Sequence, residues 1–499
     1  MSQLDFFSGS LPSGVADTLK QMNPHWSGEP GPSIPSFRRW VFPKLMQLLQ
    51  HGLTPGVVLR GPRRVGKTVL VRQLIAQLLS QGVAPRRILY VAFDELPSLA
   101  ALTEPVLQIA RGFESAVAKS TFNRLAQKGE VAYLLFDEVQ NLADWAPQIK
   151  HLVDQHTVRV LVTGSSSLRI DAGKDSIAGR VQTLTLGPLL LREIAQLRDG
   201  EVAAPHWIDN GMGELAQRSF WLAAVDKARD ERAARRSAFR HYSERGGYPV
   251  VHENPQSTWP EVASYLNETV IQRAIQHDLR MGSRGRKRDE HLLEEVFRLA
   301  CRYAGQAPGS NVLVPELNRA LNANIGYTRV LTYLKFLDGT LLMRLIQPLE
   351  LRLKKKKAPA KVCICDHAIR ASWLQEVIPL DPESLAASPD LSSLAGRIAE
   401  SALGYFLASV PNLEVAHFPD RGIEPEVDFV VTIGTRRIPI EVKYRRRIDP
   451  VEDTRGLVAF LEKSVYNSPF GLLVTLEDDV EVPDPRIVTI SLSSLLWLR

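Results

Sequence analysis

Cysteine is scarce: Cys301, Cys363 and Cys365 are the only three in 499 residues, an odd count with no disulfide framework behind it. Nor do they supply the four ligands of a structural zinc site. Cys363 and Cys365 alternate along an apparent strand, Val362 to Asp366, as small buried residues do. A reducing cytoplasm is the expected compartment. Long hydrophobic runs are also missing, since no stretch approaches the roughly 18 apolar residues of a membrane span. The first thirty residues hold no basic segment followed by an apolar core, so neither secretion nor a membrane partner is expected. Excess charge is small. Lys and Arg number 61 against 55 Asp and Glu, a formal +6 with pI about 9.1, which suits a polyanionic partner without demanding one. What is present is ordinary globular material, 44% hydrophobic, in a chain long enough for about three domains at roughly 150 residues each.

The strongest pattern is Leu59 to Thr68, Leu-Arg-Gly-Pro-Arg-Arg-Val-Gly-Lys-Thr. An apolar run precedes it and a helical periodicity follows, so a strand–loop–helix is predicted around a phosphate-binding loop. The backbone of Gly61, Pro62, Arg63, Arg64, Val65 and Gly66, with Val69 opening the helix, is expected to surround the phosphates of ATP. Lys67 would reach the terminal phosphates and the Thr68 hydroxyl would hold Mg²⁺. Strands are predicted at Val57 to Arg60, Ile88 to Phe93, Tyr133 to Phe136, Val158 to Thr163 and Val181 to Leu186, alternating with helices as a parallel sheet requires. The third delivers Asp137 and Glu138 at its carboxyl end. Asp137 is the expected metal-shell residue, and Glu138 the residue that orients or deprotonates the attacking water. The fourth ends in Thr163 and Ser165, whose hydroxyls are placed to sense hydrolysis. Ahead of the sheet, residues 1–36 read as an arm, and Arg38 and Arg39 on the helix Phe37 to Gln50 read as surface charge, with an approach to nucleotide as the alternative.

With Leu-Leu-Phe-Asp-Glu-Val-Gln, Val-Thr-Gly-Ser-Ser-Ser, Ile177-Ala178-Gly179-Arg180 and Leu186-Gly187-Pro188-Leu189 added, the chain resembles prokaryotic AAA-domain ATPases that carry a C-terminal domain of unknown function. The resemblance runs over most of the chain. It implies an α/β fold with a P-loop AAA+ type parallel sheet over 37–190, Mg-ATP hydrolysis and homo-oligomers, rings included. It makes Arg180 a sensor or a finger reaching a neighbour's nucleotide, or else only the partner of an acid at a strand edge. A helical lid and linker should fill 191–288, with Phe220 to Tyr242 as one basic helix and an Arg-rich stretch, 280–288, at its end.

Residues 289–375 read as three helices and a hairpin, the order of a winged helix, with Arg352 to Lys357 at the wing tip. The third helix offers Thr328, Arg329, Thr332, Tyr333 and Lys335 to DNA. Over 376–499, Glu400 falls on a helix, Asp428 on a strand, and Glu441-Val-Lys443 on the next. Residues 441 and 443 of a strand share a face, so a carboxylate and an ammonium meet there. This order resembles the PD-(D/E)XK nucleases and their restriction-endonuclease-like fold. It implies that Asp428 and Glu441 hold Mg²⁺, that Glu400 completes the shell, and that Lys443 serves the attacking water. Non-sequence-specific DNA is the expected partner. Two functions stay open: an ATP-driven nuclease, and a nucleotide-switched DNA- or protein-binding regulator whose nuclease fold is inactive.

Overall fold

The computed structural model describes residues 11–97, 99–142, 144–165, 177–207, 212–280, 289–350, 358–420, 422 and 425–499. The chain divides into two compact units, Met1–Leu186 and Gly187–Arg499, each with its own five-stranded sheet.

In the first unit β1 (Gly56–Arg60), β2 (Ile88–Ala92), β3 (Ala132–Asp137), β4 (Val158–Gly164) and β5 (Val181–Thr185) are all parallel, in the order β2-β3-β4-β1-β5. Helices cover both faces, so β2 and β3 are buried at every position and read as continuous apolar runs. Because β4 lies between β1 and β3, the loops leaving β1 and β3 flank its carboxyl end. That is where an open parallel sheet receives a ligand.

The stretch expected to be an arm is part of this unit over its described length. Helix α1 (Ser13–Met22) buries Val15, Ala16 and Leu19 against the core. Just past it the Asn23 amide donates to the Tyr90 carbonyl and accepts from the Tyr90 N–H, each at 2.8 Å, and Trp26 Nε1 donates to the Ile88 carbonyl at 2.8 Å. A Ser-, Gly- and Pro-rich composition masked a short apolar stripe and an amide that behaves as a strand partner for the sheet's edge. Helix α2 (Phe42–His51) follows, turning Phe42, Leu45, Met46 and Leu49 inward.

In the second unit the expected single basic helix is two, Arg218–Asp230 and Arg232–Arg245, broken at Glu231. The Glu231 carboxylate is held there by Arg192 and by the Trp497 indole. Buried Arg235 donates to both Asp478 oxygens, at 3.0 and 2.7 Å, tying the second helix to the chain's end. Helices Glu290–Arg302, Ser310–Leu321 and Tyr327–Gly339 then lead into an antiparallel hairpin, β6 (Met343–Ile346) and β7 (Lys361–Ile364), in winged-helix order. The basic stretches at 281–288 and 351–357 lie outside the described residues. A long helix, Ser392–Ser409, precedes β8 (Glu414–Phe418), β9 (Val427–Ile433), β10 (Arg436–Lys443), β11 (Gly471–Thr475) and β12 (Ile487–Ser491). This sheet is mixed, ordered β12-β11-β10-β9-β8, with β10 antiparallel to β9 and parallel to β11. Strand β8 was not anticipated.

Candidate ATP site and C-terminal carboxylate cluster

The turn between β1 and α3 (Lys67–Ser80) needs left-handed backbone at Arg64 (φ 65°) and at Gly66 (φ 95°), the residue that caps the helix. Gly61 is required for a different reason: a Cβ there would lie 2.2 Å from the Leu186 carbonyl oxygen. Lys67 is buried and donates to the carbonyls of Gly61 and Pro62 at 3.1 and 2.9 Å, folding back over the loop whose phosphate it is expected to meet. Arg39, expected at the surface, is 5% exposed and donates to the Val65 carbonyl at 2.6 Å. It props the loop from behind. Arg38 bridges to Gln77 of α3 instead. Val65 is fully buried, so its side chain is not open to a ligand.

Opposite the loop, Thr68 Oγ1 donates to Asp137 Oδ2 at 2.7 Å. Asp137 also accepts from Thr163 and, at 3.3 Å, from the Tyr90 hydroxyl. Burial, then the neighbouring Glu138 charge, push the Asp137 carboxyl above its usual range. Asp94 at the end of β2 is raised by the same two causes. Acids crowded this closely are a place for a cation, and a hydroxyl beside a single carboxylate is the sparse donor set that suits Mg²⁺ carried in with a nucleotide's phosphates. These residues fit the group.

Glu138 itself sits in left-handed backbone (φ 54°, ψ 43°), a conformation rare outside glycine and asparagine. The turn redirects its carboxylate to within 3.8 Å of the Lys67 ammonium, where the Gln140 amide donates to it. Gln140 also donates to Ser165 Oγ at 3.0 Å, and Thr163 Oγ1 accepts the Glu138 N–H at 3.2 Å. Thr163 and Ser165 therefore touch the two acids directly. Tyr90 and Gln140 had no assigned part, although Gln140 closes the Asp-Glu-Val-Gln run. Arg180 stands apart: it precedes β5, at the end of the sheet away from the loop, and ion-pairs with Asp154 at 2.5 Å.

In the second unit Glu400, Asp428, Glu441 and Lys443 do come together. Val442 N–H donates to Asp428 Oδ2 at 2.9 Å, and Lys443 Nζ donates to Glu441 Oε1 at 2.6 Å. Burial, with Asp428 beside it, pushes the Glu441 carboxyl up to about 8. A fifth residue, unanticipated, completes the group. Lys361 from β7, 1% exposed, donates to Asp428 Oδ1 at 3.0 Å and to Glu400, with Glu426 3.7 Å away. Among the described residues no three His, Cys, Asp or Glu side chains converge to hold a metal ion. On the helix Tyr327–Gly339, Tyr333 is buried and accepts the Asp289 N–H, and Arg329 pairs with Asp289, so two of the five candidate DNA contacts serve the fold.

The first unit's strand order, phosphate loop and paired acids define an AAA-type ATP-binding domain. Residues 54–195 match the AAA domain family, and residues 236–378 match a domain of unknown function, DUF8612. An AAA domain implies ATP binding, typically with Mg²⁺. The chain is 24% identical over 332 residues to an uncharacterized protein of Haemophilus influenzae, covering 65% of this chain and 71% of that one. It is 29% identical over 141 residues to the uncharacterized protein MJ1637 of Methanocaldococcus jannaschii, 28% of each chain. Among solved structures it is similar to the Walker-type ATPase PABY2304 of Pyrococcus abyssi, with a TM-score of 0.40 and 14% identity over 69% of this chain and 99% of that one. No described helix is long and apolar enough to cross a membrane.

Proposed function

We propose that the protein is a Mg-ATP hydrolase that works as a nucleotide-driven switch on DNA, binding it without reading sequence. The Thr68–Asp137 hydrogen bond of 2.7 Å beside the turned-out Glu138 carries the ATP part. Thr68 and Asp137 would hold Mg²⁺, which supplies charge neutralisation at the phosphates. The backbone of residues 61 to 66 cradles those phosphates, and Lys67 exchanges its carbonyl partners for them. Glu138, steadied by Gln140, accepts the proton of the attacking water, while Thr163 and Ser165 follow the change of charge. The DNA part is supported by the chain's +6 charge and pI of about 9.1.

A steady-state ATPase assay tests it, with and without DNA. Glu138→Gln should still bind nucleotide and turn over roughly 10²- to 10⁴-fold more slowly, the usual worth of a general base. Lys67→Ala should lose binding. Unchanged hydrolysis by Glu138→Gln removes that residue from its role. Arg180, held away from its own loop, would act on a neighbour's nucleotide in a homo-oligomer, and a ring is the simplest closed form.

A second reading, a Mg-dependent deoxyribonuclease, is favoured by the convergence of Glu400, Asp428, Glu441 and Lys443. It requires Mg²⁺- or Mn²⁺-dependent nicking of duplex, single-stranded or branched DNA. Both Glu441→Ala and Lys443→Ala must abolish the nicking while sparing ATP turnover. Cleavage that survives in both variants is contamination.

A further inference from the structure

We propose that Lys361 is the resident cation of the C-terminal carboxylate cluster, taking the place between Glu400 and Asp428 that a divalent metal would need, so that this site is metal-free and does not cut. The inference rests on the proposed switch on DNA and deepens it, giving the second unit a part in binding without cleavage.

The oxygens account for it. Of Asp428, Oδ1 is engaged by the Lys361 ammonium at 3.0 Å and Oδ2 by the Val442 N–H at 2.9 Å. Glu400 is engaged by the same ammonium. Glu441 Oε1 is taken by Lys443, while the buried Oε2 has no hydrogen-bond partner among the described residues. A hard divalent cation takes six or more oxygens, several of them from carboxylates or water. Ammonium groups already occupy an oxygen of each of these three carboxylates, where such a cation would have to bind.

The lysine is fixed rather than incidental. It arrives from β7, whose pairing with β6 sets Lys361 opposite Ile346, and its ammonium also lies 5.0 Å from the Phe429 ring centroid. Its ammonium contacts the carboxylates of both Glu400 and Asp428, with Glu426 3.7 Å away.

Manganese titration of the nucleotide-free full chain, followed by electron paramagnetic resonance, tests this directly. Wild-type protein should show no Mn²⁺ site that Glu441→Gln changes. Lys361→Met should open one, at least ten-fold tighter than anything in wild type, which Glu441→Gln in the same chain removes. Lys361→Arg should stay closed. A wild-type Mn²⁺ site lost in Glu441→Gln overturns the proposal. So does a Lys361→Met protein with native circular dichroism and no gain in Mn²⁺. Should Lys361→Met not fold, the wild-type comparison still decides. ATP turnover, measured alongside, reports on the first unit, so a failure there is distinguishable from a failure here.

Discussion

Asp137 in the first unit and Asp428 in the second both end up buried among other acids, yet their carboxyls move in opposite directions. Asp137 is raised by burial and by Glu138. Asp428 is lowered: burial, the largest single influence, opposes this, but Lys361, Glu400 and the Val442 N–H together outweigh it. The difference separates a site left short of positive charge from one that has been completed. In the first unit Lys67 bonds backbone carbonyls and stays 3.8 Å from Glu138, so the acids keep a deficit that Mg²⁺ with a nucleotide would fill. In the second, Lys361 and Lys443 are already in contact with their carboxylates. An unbalanced cluster is a request for a ligand, whereas a balanced one is structure.

Substitution should expose that contrast. Asp428→Asn leaves Lys361 buried with half its compensation gone, and breaking a buried pair costs roughly 3–5 kcal/mol. Denaturant melts of the second unit should move by that much. A loss under 1 kcal/mol would mean the pair is not what holds the cluster. The second unit also holds one buried histidine neutral. Burial pushes His252 down to about 4 while its Nε2 bonds the Gly246 carbonyl. The unfolded chain takes up that proton first, near pH 6.5, so the contribution is complete above 6.5 and lost as pH falls toward 4, about 1.4 kcal/mol per pH unit. His252→Gln retains a donor for Gly246 and cannot protonate. Its stability relative to wild type should therefore rise by about 2–3 kcal/mol between pH 7 and 4, a difference absent if His252 titrates near 6.5. The smallest effect has the opposite sign from the first. Asp137→Asn relieves the crowding with Glu138 and should stabilise the nucleotide-free protein by about 1 kcal/mol while abolishing ATP turnover. Destabilisation there would erase the distinction between the two clusters.

Local patterns carried much of this into the sequence. Gly61 to Thr68, and Asp137-Glu138 at a strand end, each reveal themselves within ten residues, because each is a local device at the end of its own strand. Glu441 and Lys443 were legible for the same reason: a two-residue spacing fixes a shared face. Lys361 was not, since it opens a short strand as any edge lysine does, and its partners lie 39 and 67 residues further on. Packing of β7 against the helix Ser392–Ser409 brings Lys361 to Glu400, and Asp428 reaches it from β9. Arg39 was misread through its neighbour: two adjacent arginines look like one basic surface, but Arg38 faces Gln77 and Arg39 faces the Val65 carbonyl. Gln140 lay in plain view within the acid motif, and only the left-handed turn at Glu138 gave it a carboxylate to hold.

The Asn23 amide on Tyr90 has a consequence for how this protein keeps its own company. Strand β2 is the rim of the first sheet, and a bare rim is a template on which another molecule's strand can grow. Asn23 and Trp26 occupy the Tyr90 and Ile88 backbone groups that such a strand would need. Copies of this protein are thereby steered away from sheet-to-sheet fusion, and a variant trimmed to begin at the phosphate loop's own strand would carry a sticky margin that the intact chain has learned to hide.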